Sequence, residues 1–298
     1  MHLPFAARLT RPRLIILAAV LAIAGLLIAV AGQTGPAHAA TGRAAHPSAA
    51  SWTSGPKPTI VLVHGAWADS GSWNGVIWRL QRAGYTVVAP PNPLRGVSYD
   101  SDYLADFLSP TSTAITGPVV LVGHSYGGFV ITNAATGNPN VKALVYDDAF
   151  IPAQDDTLGG LASAVPGSCL GAAGAFINPP VPYPGGPAGD GDLYVQASVF
   201  PGCFANGLPP DQAAVLAATQ RPLPFSALSE ASGPPAWTTI PSWDIIGTAD
   251  HVIPPAEQLA MAQRAGSSIT QINAPHLSMI TDPGVVASVI IQAAKATT

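Results

Sequence analysis

Short apolar, β-branched runs alternate along this chain with longer stretches whose apolar residues recur at helical spacing. Thr59-Ile60-Val61-Leu62-Val63 is apolar without polar alternation and ends at His64-Gly65. A strand covered on both faces has that pattern. Similar runs recur at Thr86–Ala89, Val119–Val122, Ala143–Tyr146, Trp243–Ile246 and Ile269–Ile272. Between most of them the spacing predicts helices, most clearly over Ser72–Ala83, Tyr126–Ala135, Pro255–Ala265 and Pro283–Ala294. Strands alternating with helices predict an α/β fold: a mostly parallel sheet of about six strands with helices on both faces.

The alternation lapses over 152–235. That stretch is rich in Gly, Pro and Ala, including Pro179-Pro180, Pro184-Gly185-Gly186 and Pro209-Pro210, and has no strong period. Long irregular stretches inside a compact domain are usually functional or disordered. This one carries both cysteines and the aromatics Phe176, Tyr183, Tyr194, Phe200, Phe204 and Phe225. An ordered cap, inserted after the fourth strand, is the expectation. The core then comprises 58–151 and 236–298.

The amino end departs from the core pattern. Arg8, Arg11 and Arg13 precede an apolar run from Leu14 to Ala31, followed by Ala37-His38-Ala39. A basic segment, an apolar segment and a small-x-small site read as a signal peptide over 1–39, cleaved near Ala39. An uncleaved anchor is the alternative, because the run approaches bilayer-spanning length. Residues 40–57 read as a flexible lead-in. The mature chain is expected to be secreted and to keep no stable membrane association.

Composition narrows the function. Charged residues are 9% of the chain, against a usual share of about 25%. Without residues 1–39, nine bases face sixteen acids, a net charge of −7. Such a chain lacks the basic footprint of a nucleic-acid binder. Export would place Cys169 and Cys203 in an oxidising compartment, where a disulfide is expected and two buried thiols are the alternative. With no His or further Cys near them, a zinc site is not expected.

Gly123-His124-Ser125-Tyr126-Gly127 follows an apolar strand and leads into a helix. In that context G-x-S-x-G reads as a nucleophile elbow, with Ser125 on the turn and the glycines relieving its crowding. Serine needs an adjacent base. Of the seven histidines, His276 lies just after the last predicted strand, where open α/β sheets place their sites. His64 and His124 read as scaffold positions and His251 as a loop residue. The orienting acid is read as Asp250, beyond Trp243–Ile246. Asp147 and Asp148, which follow Ala143–Tyr146, compete for the role, and Asp244, within a strand, competes less well. Ser125, Asp250 and His276 stand in the Ser…Asp…His order of α/β-hydrolases. The expected oxyanion donors are the backbone N–H groups of Tyr126 and Ala66.

Val63-His64-Gly65-Ala66-Trp67, Trp73, Gly123 to Gly128, Asp250-His251-Val252-Ile253-Pro254 and Pro275-His276-Leu277 together resemble the compact α/β-hydrolase branch that includes the plant methylesterases and hydroxynitrile lyases. The resemblance runs from about Pro58 to the end and is vague in the cap. It implies an α/β-hydrolase fold lacking the first two strands of the full version. The lyases of that branch carry a threonine after the strand-end histidine and a lysine after the catalytic one. Gly65 and Leu277 stand there in this chain, as on the esterase side. The resemblance thus implies a serine esterase acting on a small-molecule ester without metal or organic cofactor. A lyase, perhydrolase or amidase on the same scaffold, and a binding protein retaining the triad, are the alternatives.

Overall fold

The computed structural model describes residues 57–109 and 115–297. The expected signal peptide, and the lead-in up to residue 56, lie outside the described residues. In chain order the strands are β1 (Thr59–Val63), β2 (Val87–Val88), β3 (Val119–His124), β4 (Val141–Asp147), β5 (Asp192–Leu193), β6 (Leu223–Pro224), β7 (Ser242–Gly247) and β8 (Ser268–Ile272). The helices are α1 (Asn74–Arg82), α2 (Val97–Phe107), α3 (Gly127–Ala134), α4 (Leu158–Ala164), α5 (Pro210–Thr219), α6 (Pro255–Ala265), α7 (Ser278–Thr281) and α8 (Pro283–Ala296).

Six strands form one sheet in the order β2-β1-β3-β4-β7-β8, every neighbour parallel. All six residues of β3 are buried, which is why its sequence shows no polar alternation. α3 packs on α2 and α8 on α1, and both α3 and α8 also contact the central strands. Parallel order and unbroken strand direction bring the carboxyl ends of β1, β3, β4, β7 and β8 to one edge, where the expected site residues lie. Among the described residues, no helix is long and apolar enough to cross a membrane.

The structure adds elements that hydropathy did not announce. The predicted helix over Ser72–Ala83 is split: Asp69 accepts from the N–H groups of Gly71 and Ser72 and caps a 3-10 turn at Ser70–Trp73 before α1 begins. α2 was not expected, because its buried face is Val97, Asp100, Ser101 and Leu104, half of it polar. Asp100 is satisfied there by the Tyr126 hydroxyl at 2.8 Å and the Arg95 N–H at 2.9 Å.

Residues 152–235, the stretch expected to form a cap, contain several regular elements. α4 and α5 were hidden by their composition, LGGLASA and an alanine-rich run with only Ala213 buried. β5 and β6 form a two-stranded antiparallel pair. Side chains fasten the cap to the core. Arg95 pairs with Asp192 at 2.8 Å and Arg264 with Asp156 at 2.7 Å. The Trp67 indole N–H donates to the Leu193 carbonyl at 2.8 Å. Within the cap itself, Cys169 and Cys203 are joined in a disulfide.

Candidate active site

Ser125 sits between β3 and α3 with φ 53°, a left-handed conformation that is costly for a residue with a Cβ. The surroundings permit it only because the neighbours are glycines. A Cβ on Gly123 would stand 2.6 Å from the Gly127 carbonyl oxygen, and one on Gly127 would stand 2.6 Å from that of Val63. Gly65 answers the same constraint from β1, since its Cβ would lie 2.7 Å from that of Ser125. The loop after β1 can therefore lie directly against the elbow.

Asp250 and His276 reach the serine from the loops after β7 and β8. His276 Nε2 lies 3.1 Å from Ser125 Oγ, and His276 Nδ1 lies 2.8 Å from Asp250 Oδ2. The carboxylate can only accept from Nδ1–H, which leaves Nε2 free to accept the serine proton. Ser125, Asp250 and His276 are each at most 4% exposed. Asp250 Oδ1 accepts from the N–H groups of Val252 at 2.6 Å and Ile253 at 3.0 Å. The rival acids are engaged elsewhere. Asp147 accepts from the Ser278 hydroxyl at 2.7 Å and Asp148 from the Gly247 N–H at 2.6 Å. Burial pushes the Asp147 carboxyl up to about 7, with nearby Asp250 adding to the rise. Burial lifts Asp148 well above the usual carboxylate range, and Asp147 and Asp250 lift it further. Asp244, inside β7, is lifted in the same way by burial.

The other histidines have structural work. His124 donates from Nε2 to the His276 carbonyl at 2.9 Å. Complete burial keeps its imidazole well below the ordinary value, hence neutral. His64 donates from Nδ1 to the Gly65 carbonyl at 2.9 Å and accepts the Asn92 N–H at 3.0 Å. Burial lowers it to about 4. His251 is exposed.

The N–H groups of Ala66 and Tyr126 find no protein acceptor among the described residues, and both residues line a cavity with Ser125. The next N–H along, that of Trp67, is taken by the Arg221 carbonyl at 2.8 Å. The cavity measures about 240 Å³ and its walls include Phe150, Leu158, Ala162, Leu170, Phe176 and Leu228. Of the six cap aromatics, Phe176 alone is on this wall among the described residues. Phe204 packs 5.2 Å from the His276 ring, and Phe200 lies 5.0 Å behind it. Gln258 went unread in the sequence, and Trp67 was read only as part of the motif after β1. Gln258, one turn into α6, donates to Asp250 Oδ2 at 2.7 Å. Trp67 joins the loop after β1 to the cap through both of its N–H groups.

A serine on a strand-to-helix elbow, hydrogen-bonded to a histidine–aspartate pair at the carboxyl edge of a parallel sheet, defines the class of α/β-hydrolases. A sequence model of the alpha/beta hydrolase family matches residues 60–289, and the chain belongs to that family. It is 36% identical over 108 residues to a carbendazim hydrolyzing esterase of Nocardioides sp. (strain SG-4G), a match covering 33% of this chain and 45% of that enzyme. The chain thus matches less than half the length of that relative.

Solved structures share the fold. An extracellular alpha/beta-hydrolase from a Paenibacillus species, described as sharing structural and functional homology with tobacco Salicylic Acid Binding Protein 2, superposes with TM-score 0.62 at 20% identity, covering 79% of this chain and 98% of the other. Tomato methylketone synthase I, solved with 2-tridecanone, gives TM-score 0.66 at 18% identity, covering 82% and 100%. At 18–20% identity these likenesses show the shared fold.

Proposed function

We propose that this protein is a secreted serine esterase that cleaves a carboxylic ester of a neutral, partly apolar small molecule through an acyl-enzyme. The observation that carries the reading is the hydrogen-bonded row of Ser125, His276 and Asp250, with spacings of 3.1 and 2.8 Å, opening onto an apolar cavity. Ser125 Oγ attacks the ester carbonyl while His276 Nε2 takes its proton. Asp250 holds the imidazole tautomer and stabilises its charged form. The N–H groups of Ala66 and Tyr126 receive the oxyanion. His276 then returns the proton to the departing alcohol, and water repeats the sequence on the acyl-enzyme.

A 150 Å³ apolar cavity holds benzene, so about 240 Å³ accommodates an apolar group of roughly ten heavy atoms. Leu277, fully buried beside His276, offers no cation for a departing cyanide, which supports the esterase over a lyase. The esterase named among the relatives points the same way. The cap disulfide and the extracellular Paenibacillus neighbour support export.

The test pairs a fluorophosphonate probe with a panel of p-nitrophenyl esters of graded acyl length and aryl methyl esters. Wild type is expected to be labelled at Ser125 and to hydrolyse part of the panel, and Ser125→Ala to do neither. Labelling or turnover that survives Ser125→Ala would overturn the reading.

A further inference from the structure

We infer that Gln258 is a positioning residue for the histidine–aspartate pair: its side-chain amide fixes the orientation of the Asp250 carboxylate and shares the charge on the oxygen that holds His276. The inference rests on the proposed role of that pair.

Gln258 Nε2 lies 2.7 Å from Asp250 Oδ2 and 2.9 Å from the Ile253 carbonyl oxygen. Both partners can only accept, so the amide nitrogen must face them and both of its hydrogens are used. Asp250 Oδ2 is also the oxygen that accepts from His276 Nδ1 at 2.8 Å. The other oxygen, Oδ1, takes the N–H groups of Val252 and Ile253. Two oxygens offer about four lone-pair directions, and four donors occupy them. Rotation of the carboxylate about Cβ–Cγ would break several of these bonds at once, so the plane presented to the imidazole is set.

Packing alone does not explain a glutamine here. The side chain is fully buried, and its Oε1 has no partner among the described residues. A buried amide with an unsatisfied oxygen is less favourable than an apolar side chain of the same size. What glutamine supplies and an apolar residue lacks is the pair of N–H groups aimed at Asp250 and at the loop that carries it. The effect on chemistry has a definite sign. A donor on Oδ2 draws off negative charge, so its removal leaves a carboxylate that holds the imidazolium form of His276 more tightly. The other titratable groups facing the pair are Asp147 and Asp148, both held toward the neutral form by burial, and His124, kept neutral by burial with its ring 4.7 Å from that of His276; the substitutions leave all three in place.

The experiment compares wild type, Gln258→Leu and Gln258→Glu by steady-state kinetics against pH and by NMR titration of the His276 imidazole, which needs no substrate. In Gln258→Leu, kcat is expected to fall at least about tenfold with KM unchanged, since the base is misplaced rather than the cavity altered. The His276 titration, and with it the acid limb of kcat/KM, moves to higher pH. Gln258→Glu, protonated in its buried site, keeps one O–H donor. It recovers part of kcat at low pH and loses it as the new carboxyl ionises. A Gln258→Leu protein with wild-type kcat and an unshifted His276 titration, whatever its stability, overturns the inference. If Gln258→Leu does not fold, the isosteric Gln258→Glu decides, a wild-type pH profile being the contrary result. If wild type hydrolyses no ester, the esterase reading falls, while the NMR shift still judges the role of Gln258.

Discussion

Along the carboxyl edge of the sheet, Ser125, Asp250 and His276 stand within four residues of the ends of β3, β7 and β8. Their positions follow from strands that pair in a fixed parallel register. The cap that completes the cavity has two short α-helices, two 3-10 turns, a pair of two-residue strands and isolated bridges. It is held by ion pairs, side-chain bonds to carbonyls and a disulfide. Backbone hydrogen bonds thus locate the chemistry, and cross-links between side chains locate the wall around the substrate. Damage to the first is expected to appear in kcat. Damage to the second is expected in stability and in the choice of substrate.

The largest expected effect tests the core half of that contrast. Asp250→Asn keeps the shape but can present an N–H to His276 Nδ1, favouring the tautomer that cannot accept the serine proton. Turnover should fall by roughly 10⁴-fold. Asp147→Asn, at a carboxyl that accepts from the Ser278 hydroxyl and not from His276, should retain kcat within a few-fold. Steady-state assays on the best ester of the panel check both. If the two variants exchanged these outcomes, the acid would belong to β4 rather than to the loop after β7.

Next comes the cap. The disulfide closes a separation of 34 residues, and the loss of loop-closure entropy on linking them amounts to about 3–4 kcal/mol. The double variant Cys169→Ala, Cys203→Ala should lower the unfolding free energy by that order. Because Ser168 and Leu170 line the cavity beside Cys169, KM should rise while kcat changes little. Denaturant titration with parallel kinetics checks this. A large fall in kcat at constant KM would show that the cap also sets the chemistry, and would erase the contrast.

The two regions also differed in how far the sequence disclosed them. The inner strands of the sheet were readable because burial on both faces leaves continuous apolar runs such as Val119–Val122, and the partly buried edge strands β2 and β8 through their β-branched residues. Ser125 was readable because a left-handed turn packed against neighbouring backbone requires glycines around it, and G-x-S-x-G records that need. α2 was not, because half of its buried face is polar, and Asp100 is satisfied there by the hydroxyl of Tyr126, which is distant in sequence. α4 and α5 have small residues where a hydrophobic stripe would have announced them. Gln258 and Trp67 act through hydrogen bonds set by tertiary approach. The eight-residue spacing of Asp250 and Gln258 was the one local hint, and it means nothing until α6 is placed.

A smaller effect separates Asp147 from Asp250 through pH. Burial raises Asp147 from its ordinary 3.8 to about 7. The folded chain then keeps a proton that the unfolded chain releases, so stability from this group is full below pH 3.8 and is lost as pH rises through about 7. Between pH 5 and 7 the unfolding free energy of wild type should fall relative to that of Asp147→Asn by about 2 kcal/mol. His64, lowered from 6.5 to about 4, works in the opposite direction, losing its contribution as pH falls through that window. It is common to both proteins and cancels in the comparison. Parallel slopes in urea titrations at several pH values would show that Asp147 is ionised throughout.

The smallest expected effect asks whether the cap wall governs size selection. α4 is capped by Thr157, whose Oγ1 accepts the Gly160 N–H, and it turns Leu158, Gly159, Ala162 and Ser163 toward the cavity. Three of these four are small, so much of the open volume exists because α4 carries no bulk there. Ala162→Leu adds a branched side chain to that wall and leaves Ser125, Asp250 and His276 themselves unchanged. One methylene too many in an apolar site costs about 1–3 kcal/mol of discrimination. The variant should therefore lose tenfold or more in kcat/KM for the longest acyl or bulkiest aryl ester that wild type accepts, and keep its rate on acetyl esters. The ratio of the two substrates in one assay is insensitive to the fraction of folded enzyme, so a stability loss cannot mimic the result. An equal loss on both would mean that the added bulk reaches the reacting atoms, placing the wall of α4 nearer the serine than a specificity surface should stand.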